Sequence, residues 1–377
     1  MKILIIGGYG IFGGRLAQLL SERAELTLLI AGRSFTKAKE FCDLHLHQKS
    51  ATPVVFDRDE NMANALAKMD VDLVIDASGP FQSYGNDPYR VVKACITQKI
   101  NYMDFSDASE FVKGIAQFDS AAKASNIFIL SGVSSFPILT SAVVRKITVD
   151  FSSIDTIKGG IAPSPFAVVG LNVIKAITSY AGKPVKLVRD SQPAHGYGLL
   201  EHCRYTIAPK GCKPLNDVYF SLVDVPDLLV LPELWPNVKS VWMGAGPVPE
   251  VLHKMLNGFA WLVRIRCLPS LVFLAPIFHF VLNILRWGEH RGGMFVEVSG
   301  VDKHNRKIAR SWHLVAEGED GPYIPAMALQ ALVLKCLGGP PPKSGARPGT
   351  LDLELEDYEA LFAQRKIHTD IQDIVVQ

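Results

Sequence analysis

Through the first third of the chain, short apolar blocks alternate with amphipathic stretches. Residues 3–6 are four consecutive aliphatic side chains, and a strand buried on both faces reads as such a run. Leu16, Leu19 and Leu20 follow at the spacing of one helical face. The same alternation predicts strands over 26–30, 53–56, 71–77, 101–105 and 127–130. It predicts helices over 34–47, 60–69, 89–98 and 118–124. Strand and helix in regular turn mark a doubly wound parallel sheet.

Beyond about residue 150 the pattern changes. A strand over 154–161 and a helix over 170–180 lead into a proline-punctuated stretch and then a long apolar run over 251–285. Strands over 294–298 and 308–316 flank Asp302-Lys303-His304-Asn305 as a hairpin. A helix over 325–337 precedes a Gly/Pro-rich segment, 338–349, and an acidic tail segment, 351–359. The expected class is α/β: a Rossmann doubly wound parallel sheet with an inserted α+β domain that carries an antiparallel sheet.

The first strand runs directly into Gly7-Gly8-Tyr9-Gly10-Ile11-Phe12-Gly13. A Gly8-x-Gly10-x-x-Gly13 turn between a buried strand and a helix start is the dinucleotide-binding arrangement. Gly8 permits the tight turn, Gly10 lets backbone approach a pyrophosphate, and Gly13 lets helix pack on strand. The helix start adds free N–H groups and the positive end of a dipole. The second strand ends Ala31-Gly32-Arg33-Ser34, with no acidic residue where an NAD site places one. A guanidinium and a hydroxyl suit a 2′-phosphate, so NADP(H) is the expected cofactor.

Ligands of such sheets lie beyond the carboxyl ends of the strands. Those ends are 8–13, Arg33-Ser34, Asp57, 78–84, 104–107 and 132–137, and they are expected to line one crevice. One N–H among Tyr9, Ile11 and Phe12 is expected to reach a phosphate. Asp57 is placed to accept from the adenine amino group or to cap a helix. Ser78, Gly79 and Pro80 fall on the ribose and nicotinamide side, and Gly132 and Val133 on the nicotinamide face. Tyr84, Tyr102 and Asp104 are the candidate proton donors, each with a purely structural alternative. His195 reads as a surface histidine.

Composition narrows the partners. A net charge of +2 without a long basic run argues against nucleic acid. Six scattered cysteines without C-x-x-C, and ten histidines without metal spacing, predict reduced thiols, no metal and a cytoplasmic protein. His45 and His47 read as a solvated pair. Met1-Lys2 leads straight into the first strand with no signal-peptide pattern. Residues 268–285 hold no Asp, Glu, Lys or Arg, and Arg264, Arg266 and Arg286 flank them. A buried or dimer-interface helix is the leading expectation for this segment, with peripheral membrane contact next and a membrane span last.

The strand-end sequences resemble the saccharopine dehydrogenase-like NADP-binding family, in its uncharacterised bacterial branch. The matching pieces are Gly7 to Gly13, Ala31-Gly32-Arg33, Gly79-Pro80-Phe81 with Tyr84-Gly85, and Tyr102, Asp104 and Ser106. Gly132-Val133-Ser134-Ser135-Phe136-Pro137 continues the likeness. Tyr180 to Pro184, Asp224 to Asp227 and Gly321 to Pro325 follow more loosely. The resemblance implies a Rossmann domain over 1–137 and about 322–377, a sheet domain over 138–321 that makes a homodimer, and a last helix packed back on the nucleotide domain. Saccharopine bears three carboxylates, which a grouped set of basic residues would have to meet. Arg189, Arg204, Arg264, Arg266, Arg286 and Arg291 are spread out. The expected activity is therefore hydride transfer to a small apolar C=C, C=O or C=N acceptor. The alternatives are a non-catalytic NADP-binding sensor or scaffold and a membrane-associated lipid-handling protein.

Overall fold

The computed structural model describes residues 1–46, 51–58 and 62–375. His47 and the first residues of the helix expected over 60–69 lie outside the described residues. The chain divides into two compact units, Met1–Ile138 with Tyr323–Leu353, and Leu139–Pro322 with Glu354–Gln377.

The first unit opens with β1 (Lys2–Ile6), whose Ile3, Leu4, Ile5 and Ile6 are all buried. Helix α1 (Ile11–Leu20) buries Leu16, Ala17 and Leu20, while Leu19 stays half-buried. The alternation continues through β2 (Thr27–Gly32), α2 (Phe35–His45), β3 (Ala51–Val55), α3 (Met62–Met69) and β4 (Leu73–Asp76). It runs on through α4 (Arg90–Gln98), β5 (Asn101–Asp104), α5 (Ser109–Gly114), α6 (Asp119–Ala124) and β6 (Phe128–Ser131). The strands pair in parallel in the order 3-2-1-4-5-6, so strand order reverses between β1 and β4. That reversal opens the ligand crevice of a doubly wound sheet. One apolar face, with Leu4, Val74, Tyr102 and Ile129, packs against Leu66, Val92, Cys95 and Ile115 from the helices.

In the second unit α7 (Thr140–Ile147) leads to β7 (Phe151–Ala162) and α8 (Leu171–Tyr180). The proline-punctuated stretch is more ordered than its composition indicates. It forms the hairpin β8 (Pro184–Arg189) and β9 (Gln192–Tyr197), then β10 (His202–Ile207), β11 (Leu215–Leu222), α9 (Asp227–Leu234) and β12 (Ser240–Ala245). Helices α10 (Glu250–Arg264) and α11 (Ala275–Ile284) follow, with a 3₁₀ turn at Val272–Leu274 between them. The segment over 268–285 is therefore a turn and a short helix. Among the described residues no helix is long and apolar enough to cross a membrane. The hairpin of β13 (Arg291–Asp302) and β14 (Lys307–Glu317) is longer at both ends than the alternation predicts.

Two departures concern the C-terminal stretch. After α12 (Ile324–Gly338), which packs on α1, the Gly/Pro-rich segment contains β15 (Gly345–Pro348). This strand pairs in parallel with β6 and becomes the seventh strand of the first sheet. The acidic segment then forms α13 (Leu355–Phe362), and β16 (Ile367–Ile374) follows. β16 pairs antiparallel with β14, so residues 354–377 join the second unit and not the nucleotide domain. The second sheet runs β10-β11-β12-β7-β13-β14-β16 and is mixed, because β12 and β7 are parallel. Arg310 on β14 is bound to Asp150 at 2.6 Å and Asp373 at 2.7 Å, and Arg365, just before β16, to Asp320 at 2.8 Å.

The tightest backbone approach in the first unit is at Gly13. A Cβ there would stand 2.4 Å from the Gly7 carbonyl oxygen and 3.0 Å from Gly8 Cα, both backbone atoms. Gly13→Ala is expected to destabilise the unit by at least the ~1–3 kcal/mol of an overpacked core. A drop in the urea midpoint relative to wild type checks this, and an unchanged midpoint refutes it.

Candidate functional site: the strand-end crevice of the first sheet

The turn after β1 is fixed by backbone bonds. The amides of Gly7 and Gly8 both donate to the Ala31 carbonyl, at 2.8 and 3.1 Å, which ties the turn to β2. Gly7 sits at φ +74, and a Cβ on it would meet Ala77 O at 2.8 Å. Gly10 caps α1 without a side-chain bond, and the first helical bond runs from Gly14 N to Gly10 O at 2.8 Å. The amides of Ile11, Phe12 and Gly13 therefore open from the helix start, which carries no acidic side chain in its first turn. This is an anion cradle formed by backbone. The Phe12 ring stacks on Phe105, centroids 5.8 Å apart.

At the end of β2, Arg33 is exposed, and Ser34 caps α2 by accepting from the Lys37 amide at 3.4 Å. That bond uses a lone pair of the hydroxyl and leaves its proton for an anion. Tyr9 lies against Gly32, and its hydroxyl accepts from the Ser34 amide at 3.3 Å. Tyr9 thus braces the β2 end with its side chain, a role that its place inside a glycine turn conceals. Lys37, exposed one turn into α2, adds a cation that sequence reasoning missed. Asp57 is half-buried two residues past β3.

The ends of β4 and β5 hold a pair of buried carboxyl groups. Asp76 and Asp104 are register partners, and neither is exposed. Asp76 accepts from the Ser78 amide at 2.9 Å, the Ser78 hydroxyl at 2.6 Å and the Tyr84 hydroxyl at 3.3 Å. The Arg58 guanidinium lies 3.6 Å over the Tyr84 ring and donates to Ser78 Oγ at 3.4 Å. Asp104 Oδ1 accepts from the amides of Ser106 and Gly132 and from the Ser131 hydroxyl, at 2.9, 2.9 and 3.0 Å. Its Oδ2 is buried without a protein partner. Burial raises Asp76. Burial also raises Asp104, to about 7, against the lowering effect of its three donors, and the Asp76 charge adds to the rise.

The first unit therefore gathers Gly8 to Gly13, Arg33, Ser34, Asp57, Ser78, Tyr84 and Asp104 at the carboxyl edge of one sheet. Gly132 and Val133 are buried, and both amides donate to Asp104, to Oδ1 and to the main-chain oxygen. Tyr102 departs from its sequence reading. It is 1% exposed, lies in mid-strand, and packs in the core with Val74 and Ile129. Tyr84 is tied to Asp76 and Ser78, and burial pushes its phenol well above its ordinary value. His195 is exposed on β9. Asp76 and Arg58 are functional candidates that the sequence reading passed over. A carboxylate closing an apolar strand at Asp76 was the available signal. In the second unit Cys212, Glu317 and His368 bring one metal-capable atom each within 4.8 Å of one another. The Arg291 guanidinium, tied to Glu289, acts to lower the Cys212 pKa, and a cation that near opposes a metal.

Residues 3–130 match the family described as the saccharopine dehydrogenase NADP binding domain. The match covers about a third of the chain and likens this stretch to that NADP-binding domain. NADP(H) is its cofactor, and the backbone cradle at α1 and the acid-free end of β2 fit that ligand. Over its full length the chain resembles apo saccharopine dehydrogenase (L-Glu forming) from Saccharomyces cerevisiae, with TM-score 0.67, 12% identity, and 99% and 100% of the two chains covered. At that identity the likeness shows the shared fold of the saccharopine dehydrogenase-type chain. GenD2 from gentamicin A biosynthesis, in complex with NAD, matches at TM-score 0.45 and 11% identity over 100% and 97% of the chains. A mutant meso-dapdh from Clostridium tetani E88 matches at 0.45 and 13% over 94% and 95%. No curated protein matches the chain.

Two outcomes follow from the NADP-binding site. Arg33→Ala is expected to weaken NADPH binding by about 1.5–3 kcal/mol, the worth of one charge-assisted bond, and to leave NADH binding little changed. Calorimetric titration of both cofactors checks this, and equal losses for the two refute it. The second outcome concerns pH. The raised Asp104 pKa favours the neutral group in the fold, so its contribution is complete below about pH 3.8 and is lost as pH rises through about 7. Asp104→Asn, a neutral isostere, should gain stability relative to wild type across that window, by about 1.4 kcal/mol per pH unit. The gain should level off above it. Urea unfolding of both proteins across the window measures the difference, and a constant offset would sink the assignment.

Proposed function

We propose that this protein is an NADP(H)-dependent oxidoreductase that reduces a C=C, C=O or C=N bond in a small apolar acceptor. The observation that carries the oxidoreductase reading is the anion cradle at α1 beside a titratable carboxyl group at the same sheet edge. NADPH, when bound, supplies the hydride. The chain's own residues supply the rest. The amides of Ile11, Phe12 and Gly13 hold the pyrophosphate, and Arg33, Ser34 and Lys37 meet the 2′-phosphate. Ser78, Gly79 and Pro80 flank the ribose and nicotinamide side.

Asp104 is the candidate proton donor. It keeps a proton near neutral pH, has one oxygen uncommitted, and sits at the ligand edge of the sheet. Tyr84 and Ser78 position it indirectly by holding Asp76. The apolar acceptor is supported by the state of the second unit's arginines. Arg189, Arg204, Arg291, Arg306 and Arg310 are each paired with a carboxylate. These five are committed to carboxylates of the chain itself, and Arg264, Arg266 and Arg286, which are not, flank an apolar stretch.

Consumption of NADPH with enones, aldehydes and imines tests the reading, alongside saccharopine with NADP. Turnover of at least one apolar acceptor is expected. Saccharopine turnover at kcat/KM of about 10⁴ M⁻¹s⁻¹ or above, with none on apolar acceptors, would overturn the acceptor assignment. Tight NADPH binding with no turnover at all would favour a non-catalytic sensor. With a substrate found, Asp104→Asn should lose on the order of 10²–10⁴ in kcat while NADPH affinity is kept. Tyr102→Phe should leave kcat unchanged.

A further inference from the structure

Helix α11 and the 3₁₀ turn before it are apolar on both sides. Inward, Leu271, Leu274 and Phe278 pack against Phe259, Ala260 and Val263 of α10. The Phe259 and Phe278 rings meet edge to face at 5.7 Å. Outward, Phe273, Ile277, Phe280 and Ile284 recur at four-, three- and four-residue spacing and are all exposed. Phe280 is 66% exposed and Trp287, just beyond the helix, 72%. On α10 and its end, Met255, Trp261 and Ile265 are also bare. A helix apolar all round is normally covered, and a bare face of this kind marks an interaction surface.

The charge pattern around the face identifies the cover. From 251 to 288 the chain holds no Asp or Glu, but it holds Lys254, Arg264, Arg266 and Arg286. Lys254 is paired with Glu250. The three arginines have no carboxylate partner among the described residues. Arg264 lies 4.0 Å over the Tyr197 ring, Arg286 donates to the Asn283 carbonyl at 3.2 Å, and Arg266 is exposed. Elsewhere in the unit Arg145, Arg189, Arg204, Arg291, Arg306 and Arg310 all have counter-ions. Among the unit's arginines, those without a counter-ion are thus the three of the 251–288 stretch that carries the bare apolar face. A two-fold pairing of this face with itself would set arginine against arginine with no carboxylate on either side. An anionic lipid surface supplies both apolar depth and negative charge. Trp261 and Trp287 are the residue type that settles at that boundary, and α11, at about 15 Å, suits lying in its plane.

We propose that the α10–α11 layer docks on an anionic lipid bilayer. Phe273, Ile277, Phe280 and Ile284 enter the headgroup–acyl boundary, and Arg264, Arg266 and Arg286 meet the phosphates. The proposal stands apart from the oxidoreductase reading.

Flotation of the full chain tests it, with phosphatidylcholine vesicles and with vesicles in which about a third of the lipid is phosphatidylglycerol. The protein should float with the anionic vesicles at least about tenfold better than with the neutral ones, and added salt should weaken the association. Brominated lipids should quench the exposed tryptophans. Ile277→Ser with Phe280→Ser should lose flotation by about tenfold or more while NADPH binding and circular dichroism hold. Arg266→Gln with Arg286→Gln should erase the anionic preference. If the apolar variant fails to fold, wild-type quenching decides. Wild-type protein that stays unbound with both vesicles, or is unquenched by brominated lipid, overturns the proposal. So does a dimer that Ile277→Ser splits, which would give the face to a second copy.

Discussion

The first unit depends on a backbone-to-backbone approach between the end of β1 and the start of α1. Gly13 stands against the Gly7 carbonyl with no room for a side chain, and the two amides of the preceding turn share one acceptor on β2. This contact sets where α1 begins, and so where its unbonded amides point. It also brings the turn against Ala77 and Ser78 beyond β4. A pyrophosphate site and a carboxylate site at neighbouring strand ends thus share one rigid origin.

The carboxyl pair at the ends of β4 and β5 shows the other side of burial. Asp76 is met by Ser78 and Tyr84, with the Arg58 guanidinium over the tyrosine ring. Asp104 has three donors and no cation among them. Two adjacent carboxylates in a dry setting resist double ionisation, and the one without a nearby cation keeps its proton longer. The fold separates their behaviour by their surroundings, although both arise from the same strand-end position.

Much of the nucleotide unit was legible because periodicity, glycine spacing and strand ends agree there. β1, the glycine turn and Arg33-Ser34 were readable before any coordinates. Tyr102 and Asp104 show where that reading stops. They lie two residues apart on one strand face, yet one is core and the other is at the rim, and only the register with Val74 and Asp76 reveals the depth. β15 was hidden because Gly345-Ala346-Arg347-Pro348 has no apolar run and is a strand only through β6. In α13, Leu355, Tyr358, Leu361 and Phe362 are buried at helical spacing, but the acidic residues between them masked the stripe. The outward face of α11 could not be read either, since an apolar helix looks the same in sequence whether covered or bare.

The late arrival of β15 has a consequence for synthesis. A ribosome delivers β1 to β6 first, then residues 139–322 of the second unit and α12, and only then the strand that pairs with β6. Until Gly345 to Pro348 emerge, β6 is an edge with open N–H and C=O groups between Phe128 and Ser131. That closure spans the longest sequence separation in the first sheet, and such contacts form slowly. While residues 139–344 are being made, the first sheet has at most six of its strands available and β6 is an open edge. Its most dangerous moment for aggregation falls during translation, before the chain is finished.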